Sequence, residues 1–220
     1  MAGYGVSQEL NKVLDQILES RRSIRSFTSE IPSRGLIKEI LRAGLLAPYA
    51  DLALGGQQDF RRFAVIQQGG PMMTRAAEMI TRRLKKMVED LKREMEQNPF
   101  LMKKGESFVK RIETISRQGV PGVGSAPYFI VVAERKGFPP VEQQSLAHCL
   151  QNMWLKATAL GLGVHLVSLT AQMAEDRDFC DMLHIPFGEF ELNGFAVGYP
   201  EKTLPPASRP SADEVTYWVE

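Results

Sequence analysis

Apolar positions fall at helical spacing in several long stretches of this chain and run together in a few short ones. Leu10, Val13, Leu14, Ile17 and Leu18 share one face of a helix that Ser7 can cap and that runs to about Ser20. The basic stretch SRRSIRSF follows and reads as extended. Pro32-Ser33 opens a second helix with Ile37, Ile40 and Leu41 inside, ending near Ala47-Pro48. Residues 49–59 read as a loop around Gly55-Gly56, and Phe63–Ile66 as a short strand. The longest periodic segment is 72–97, where Met73, Ala76, Ile80, Leu84 and Met87 recur at spacings of three and four among dense Arg, Lys, Glu and Asp. Asn98-Pro99 stops it, and a further amphipathic stretch carries Phe108, Val109, Ile112 and Ile115.

After the Gly119–Gly124 loop, PYFIVVA (127–133) is apolar enough for a strand buried on both faces. Val141–Leu160 reads as a buried helix ended by Gly161-Leu-Gly163, Val164–Leu169 as a strand or extended segment, and Glu175–Leu183 as a short helix stopped by Pro186. Leu192–Val197 is the last strand before Gly198-Tyr-Pro200. This order implies an α+β fold, an α/β sandwich with helices on both faces of a small mixed sheet. The expected organisation is a single domain over 1–220, with a helical insert at about 70–118 and an extended tail at about 202–220.

Composition narrows the function classes. The formal net charge is +1, with 24% charged residues, so neither nucleic acid nor an acidic membrane surface is expected as a partner. MAGYGVSQEL lacks the basic and apolar regions of a leader, and no apolar run approaches the ~20 residues of a membrane span. Cys149 and Cys180 have no metal-ligand spacing and read as reduced, buried thiols of a cytoplasmic protein; no metal site is expected. His148, His165 and His184 sit in apolar or helix-end contexts and read as structural.

The sharpest chemical signal is Arg21-Arg22-Ser23-Ile24-Arg25. In an extended chain Arg21, Ser23 and Arg25 share one face and Ile24 points to the core, which suits a phosphate bound by paired, charge-assisted hydrogen bonds. A solvated basic turn pairing with Glu19 or Glu30 is the plainer reading of the same residues.

RRSIRSF followed by a helix and LAP resembles the N-terminal signature of the nitroreductase family. SAPYFIVVA, LQNMWLKATALGLGVHLV, MLHIPFGEFELNGFAVGYPE and Ser208-Arg209-Pro210 resemble further segments of that family in the same order. The resemblance implies FMN bound at a homodimer interface. Arg21, Arg22 and Ser23 would meet the phosphate and ribityl chain, Arg25 the N1–C2 edge, and Arg209 would complete the phosphate site. The backbone around Val167, Ser168 and Leu169 would approach the ring. It also implies NADH or NADPH as donor and a small-molecule acceptor: a nitroaromatic, a quinone or a flavin. Dehalogenating and flavin-destroying relatives, or flavin binding without turnover, are the alternatives.

The chain departs from the family pattern where Tyr49 follows Ala47-Pro48 in place of a Ser, making Tyr49 the candidate pocket residue. In Gly56-Gln57-Gln58-Asp59-Phe60, Gln58 stands where the family has a Gln and Phe60 where it has a Trp. Val215, Tyr217 and Trp218 in the tail suggest docking on the partner subunit.

Overall fold

The computed structural model describes residues 7–219, apart from the side chains at 99, 101, 102 and 104. MAGYGV, part of the segment read above as no leader, and Glu220 lie outside the described residues. Helix α1 (Gln8–Ser20) starts at Ser7, whose hydroxyl accepts the Leu10 N–H, and α2 (Arg34–Leu45) starts at Ser33 in the same way. The sheet has the order β1-β2-β4-β3, formed by β1 (Arg61–Gln67), β2 (Tyr128–Arg135), β3 (Gly163–Leu166) and β4 (Phe190–Gly198). Its three ladders are antiparallel, and parallel pairing enters where Ser23 bridges Val164 beyond the β3 edge.

Period-two alternation along β2 divides the core into two layers. Tyr128, Ile130 and Val132 face α2 and α5 (Glu142–Ala159), while Phe129, Val131 and Ala133 face the other side. There they meet the start of α3 (Pro71–Gln97), a 3₁₀ segment at Ser168–Glu175 and α6 (Arg177–Met182). Gly44 lets α2 approach α5, since a Cβ there would stand 2.8 Å from the Met153 side chain.

The helical hairpin over 71–118 consists of α3 and α4 (Pro99–Gln118), separated only by Asn98. Leu84, Val88 and Ile112 form its own small core. Arg83 holds it to the 3₁₀ segment by bonds to Gln172 and Glu175, each at 3.0 Å.

Local readings shift at four places. The extended segment expected through Leu169 stops sooner: the Val167 N–H still pairs in register with Gly194 O at 2.8 Å, but the Val167 carbonyl accepts the Thr170 N–H at 2.9 Å and a 3₁₀ helix begins at Ser168. The helix expected from Glu175 begins at Arg177, where the Asp176 carboxylate accepts the Phe179 N–H. The 49–59 loop contains a 3₁₀ turn at Asp51–Leu54, and the tail contains α7 (Ala212–Val215), set by a capping box between Ser211 and Glu214.

A buried ion pair joins the layers at the β1–β2 end. Arg61 Nε meets Glu134 Oε2 at 2.7 Å, with both side chains at most 1% exposed, and Arg61 Nη1 donates to Gly44 O at 2.6 Å. Burial pushes the Glu134 carboxyl up, and the fork of Arg61 opposes that shift. Removing one partner leaves a buried charge uncompensated. Arg61→Ala should therefore cost about 3–5 kcal/mol of stability in urea unfolding, whereas the double replacement Arg61→Met with Glu134→Leu should cost much less. Equal losses in the two proteins would contradict this account.

Candidate active site

The basic segment is positioned by backbone pairing on both sides. The Ile24 N–H reaches Val164 O at 2.9 Å, the Thr28 N–H reaches Tyr199 O at 2.9 Å, and the Glu201 N–H reaches Ser26 O at 3.2 Å. Ile24 is buried against Gly163, where a Cβ would lie 2.7 Å from the Ile24 side chain. An extended chain so pinned sends neighbouring side chains to opposite faces.

Two cavities follow from that alternation. On the Ile24 side, a cavity of about 660 Å³ is lined by Arg22, Lys202 and the Gly161–Gly163 turn. Arg22 Nε is buried there without a hydrogen-bond partner. On the other side, a cavity of about 400 Å³ is lined by Arg25, His165, Val167, Ser168 and Leu169, under Leu84 and Met87 of α3 and Phe108 and Arg111 of α4. The structure thus splits the expected basic cluster. Arg25 and the Val167–Leu169 backbone share one cavity and Arg22 lines the other, while Arg21 and Arg209 line neither. Arg21 stacks over Trp154 with its guanidinium 4.6 Å from the ring centroid, and Arg209 donates to Ser208 O at the surface. Ser23 forms the bridge to Val164. Arg21, Arg22 and Arg25 make no ion pair among the described residues, so the pairing with Glu19 or Glu30 is not seen.

The first turn of the 3₁₀ segment leaves backbone donors open beside Arg25. Among the described residues the N–H groups of Ser168 and Leu169 find no acceptor, while the Thr170 N–H returns to Val167 O at 2.9 Å. Tyr49 and Gln58 lie elsewhere. Tyr49 stacks flat on Phe60 at 3.7 Å between ring centroids, and Gln58 is exposed in the loop before β1.

Two site residues escaped the sequence reading. Lys202 reaches the Arg22 cavity from the tail, with no motif to mark it. His165, read as structural, lines the Arg25 cavity, and its place as the residue after Val164 in a short edge strand was the one available signal. Burial, and then the nearby Arg25 charge, bring the His165 imidazole down to about 4, so it is neutral near pH 7. Burial pushes the Cys149 thiol up to about 12, which removes it as a nucleophile. Among the described residues no group of three or more His, Cys, Asp or Glu could hold a metal, and no helix is long and apolar enough to cross a membrane.

The Nitroreductase family model matches residues 18–199. A nitroreductase with bound FMN from Bacteroides fragilis has a similar fold, with TM-score 0.69 and 17% identity over 94% of this chain and 98% of that one. A nitroreductase with bound FMN from Desulfitobacterium hafniense gives TM-score 0.67 and 21% identity, covering 94% and 98%. A BluB-like flavoprotein from Clostridium difficile gives 0.69 and 19%, covering 94% and 99%. No curated protein matches the chain by sequence.

The His165 environment has a measurable consequence. In the folded chain the imidazole stays neutral down to about pH 4, whereas unfolded it takes up a proton near its ordinary value of 6.5. Between those values the unfolded state binds more protons, so this contribution is complete above pH 6.5 and is lost as pH falls towards 4. The loss should reach about 3 kcal/mol at most. Urea unfolding of the wild type and of His165→Gln at pH 4.5 and 7 measures it. The pH slope should flatten in the variant, and parallel slopes would rule the effect out.

Proposed function

The chain belongs to the nitroreductase family, and from that premise we propose that it is a cytoplasmic FMN-dependent NAD(P)H oxidoreductase working as a homodimer. The observation that carries this reading is the Arg25 cavity, where an arginine without a counter-ion and two open backbone donors line one side of an apolar space. Its volume of about 400 Å³ is in the ordinary range for a small-molecule site. The residues fit FMN on their own chemistry. Arg22 has a buried Nε that lacks an acceptor, which a phosphate oxygen would supply. The free thiols of Cys149 and Cys180 suit a reducing compartment.

When bound, FMN supplies the redox chemistry, taking hydride from NADH or NADPH and passing it to a nitroaromatic, a quinone or another flavin. The chain's own residues set the conditions. Arg22 would meet the phosphate and ribityl end from its cavity, and Arg21, Ser23 and Arg209, which line neither cavity in the single chain, would join it once a partner subunit completes the site. Arg25 would place a fixed cation near the N1–C2 edge, where reduction adds negative charge. Ser168 and Leu169 would offer N–H donors to the ring, and Val167 would supply backbone beside it. His165 stays neutral and adds no second cation beside Arg25. Leu84, Met87 and Phe108 cover the cavity and exclude water. Tyr49, stacked on Phe60, and Gln58 would contact the flavin of the partner subunit.

The homodimer rests on apolar surface that the chain does not bury. No residue of α1 is buried, and Leu10 at 62% exposed leads a stripe of Val13, Leu14 and Leu18 open to solvent. Tyr217 and Trp218 are 89% and 88% exposed. Helix α5 is covered within the chain by α2 and β2.

The purified protein should show flavin absorbance bands that NADH or NADPH bleaches and an acceptor restores. FMN titration of Arg22→Ala should show affinity down roughly ten- to a hundredfold. Potentiometry of Arg25→Ala should show a lower reduction potential with binding nearly intact. Wild-type affinity together with wild-type potential would remove these assignments.

A second experiment addresses assembly. Leu14→Glu places a charge on the α1 stripe at a position already open to solvent in the single chain. It should weaken the dimer and release FMN together across a dilution series followed by light scattering with in-line flavin absorbance. A Leu14→Glu monomer that keeps full FMN occupancy would contradict the link.

A further inference from the structure

We propose that Arg111 on α4 selects for an anionic aromatic acceptor, binding its carboxylate at the mouth of the Arg25 cavity. This deepens the oxidoreductase reading above and rests on it for the identity of the bound molecule as an acceptor.

The charge pattern of α4 and of the cavity carries the inference. Among the described residues, Lys110 is taken by Glu106 at 2.6 Å, while Arg117 and Lys92 share Glu113 at 2.7 and 2.9 Å. Arg111 makes no ion pair among the described residues and faces the cavity instead. Among the described residues no Asp or Glu lines that cavity, so its two guanidiniums, Arg25 and Arg111, have no acid there to answer them. They come from opposite walls. Arg25 stands on the segment pinned to β3 and Arg111 on the covering helix. Arg25 is committed to the flavin edge in the reading above, which leaves Arg111 for the second ligand.

The surroundings of Arg111 define the rest of that ligand. Phe108 and Ile115 stand three and four residues from Arg111 on α4, Ile112 follows it directly, and Met87 lines the same cavity from α3. Such a wall takes a flat, apolar ring, with the methionine adapting to its outline. A guanidinium beside it takes a carboxylate through two parallel hydrogen bonds. The neutral His165 does not compete for the anion. An aliphatic acceptor would use the charge without the wall, and an uncharged quinone the wall without the charge.

Calorimetry of the protein as purified, with benzoate and with benzamide, tests this directly. These probes share ring and shape and differ in charge, and neither is reduced. Wild type should prefer benzoate by about tenfold, Arg111→Gln should erase the preference, and Arg111→Lys should restore part of it. The ratio of kcat/KM for 4-nitrobenzoate over 4-nitrobenzamide should fall by the same factor in Arg111→Gln. Equal binding of the two probes by wild type, or a preference that survives Arg111→Gln, overturns the proposal. A raised KM for NADH or NADPH with the acceptor ratio intact assigns Arg111 to a nucleotide phosphate and also overturns it. The calorimetry reads whether or not the protein turns over. A chain that lacks flavin but shows the Arg111-dependent preference therefore fails the oxidoreductase reading alone.

Discussion

Ile24 holds Val164 across one backbone hydrogen bond, and Ser26 and Thr28 are paired to the chain that leaves β4. Those few bonds make the basic segment an irregular edge of the sheet, and the geometry of both cavities depends on them. Because the segment is extended and pinned at both ends, Arg22 and Arg25 must face opposite ways. Gly163 is part of the same constraint. Any side chain there would collide with Ile24 and push the segment off its register, moving both arginines together. The 3₁₀ turn at Ser168 depends on the same edge. Val167 makes the last ladder bond to Gly194, its carbonyl turns to the Thr170 N–H, and Ser168 and Leu169 come to line the Arg25 cavity.

The two ends of the sheet are secured in different ways. At the β1–β2 end, the Arg61–Glu134 pair and the α2 carbonyl it engages form a dry, fully buried joint. Nearby, Asp59 bridges Arg62 and Arg135 at the surface, and those partners hold its carboxyl near 2. At the site end, closure falls to the α3–α4 hairpin, whose separate core is small and whose bonds to the 3₁₀ segment run through Arg83 and Gln172. A cover held by few buried contacts opens at lower cost than a core layer does.

Where burial follows a simple period, the fold was legible in the sequence. PYFIVVA announced the central strand, and the spacing of Leu, Ile and Met residues announced the long helices. Family resemblance on RRSIRSF and on the segment before GYP placed the basic segment and the last strand. The misreadings fell where hydrogen bonding overrides hydrophobic pattern. Val167 and Leu169 continue the apolar run of β3, yet the strand ends at Leu166 because the Val167 carbonyl turns to the Thr170 N–H. Asp176 is one of several acids in that region, and only its bond to the Phe179 N–H marks the helix start. The site was half legible for a related reason. Alternation correctly opposed Ile24 to Arg25, but the partners on each face, Lys202 and His165, come from segments whose approach is set by the fold. His165 also shows how a histidine in an apolar context can line a site while being held neutral by it.

The unburied stripe of α1 and the unanswered arginines pose the same physical question. A chain in water tolerates either alone, since exposed leucines and solvated guanidiniums are common on protein surfaces. Here α1 leads directly into the basic segment: its C-cap is Arg21, and that guanidinium lies on Trp154 of α5. A partner that covers α1 therefore also fixes the approach to Arg22 and Arg25. Covering removes water from around those charges, which strengthens their attraction for an anion and raises the cost of leaving them without one. Association without a bound anion would then bury positive charge uncompensated. Anion binding without association would leave the charges in water, where each contact is weak. Each event would supply what the other lacks, so phosphate binding and subunit docking at this segment would be favourable together and poor apart.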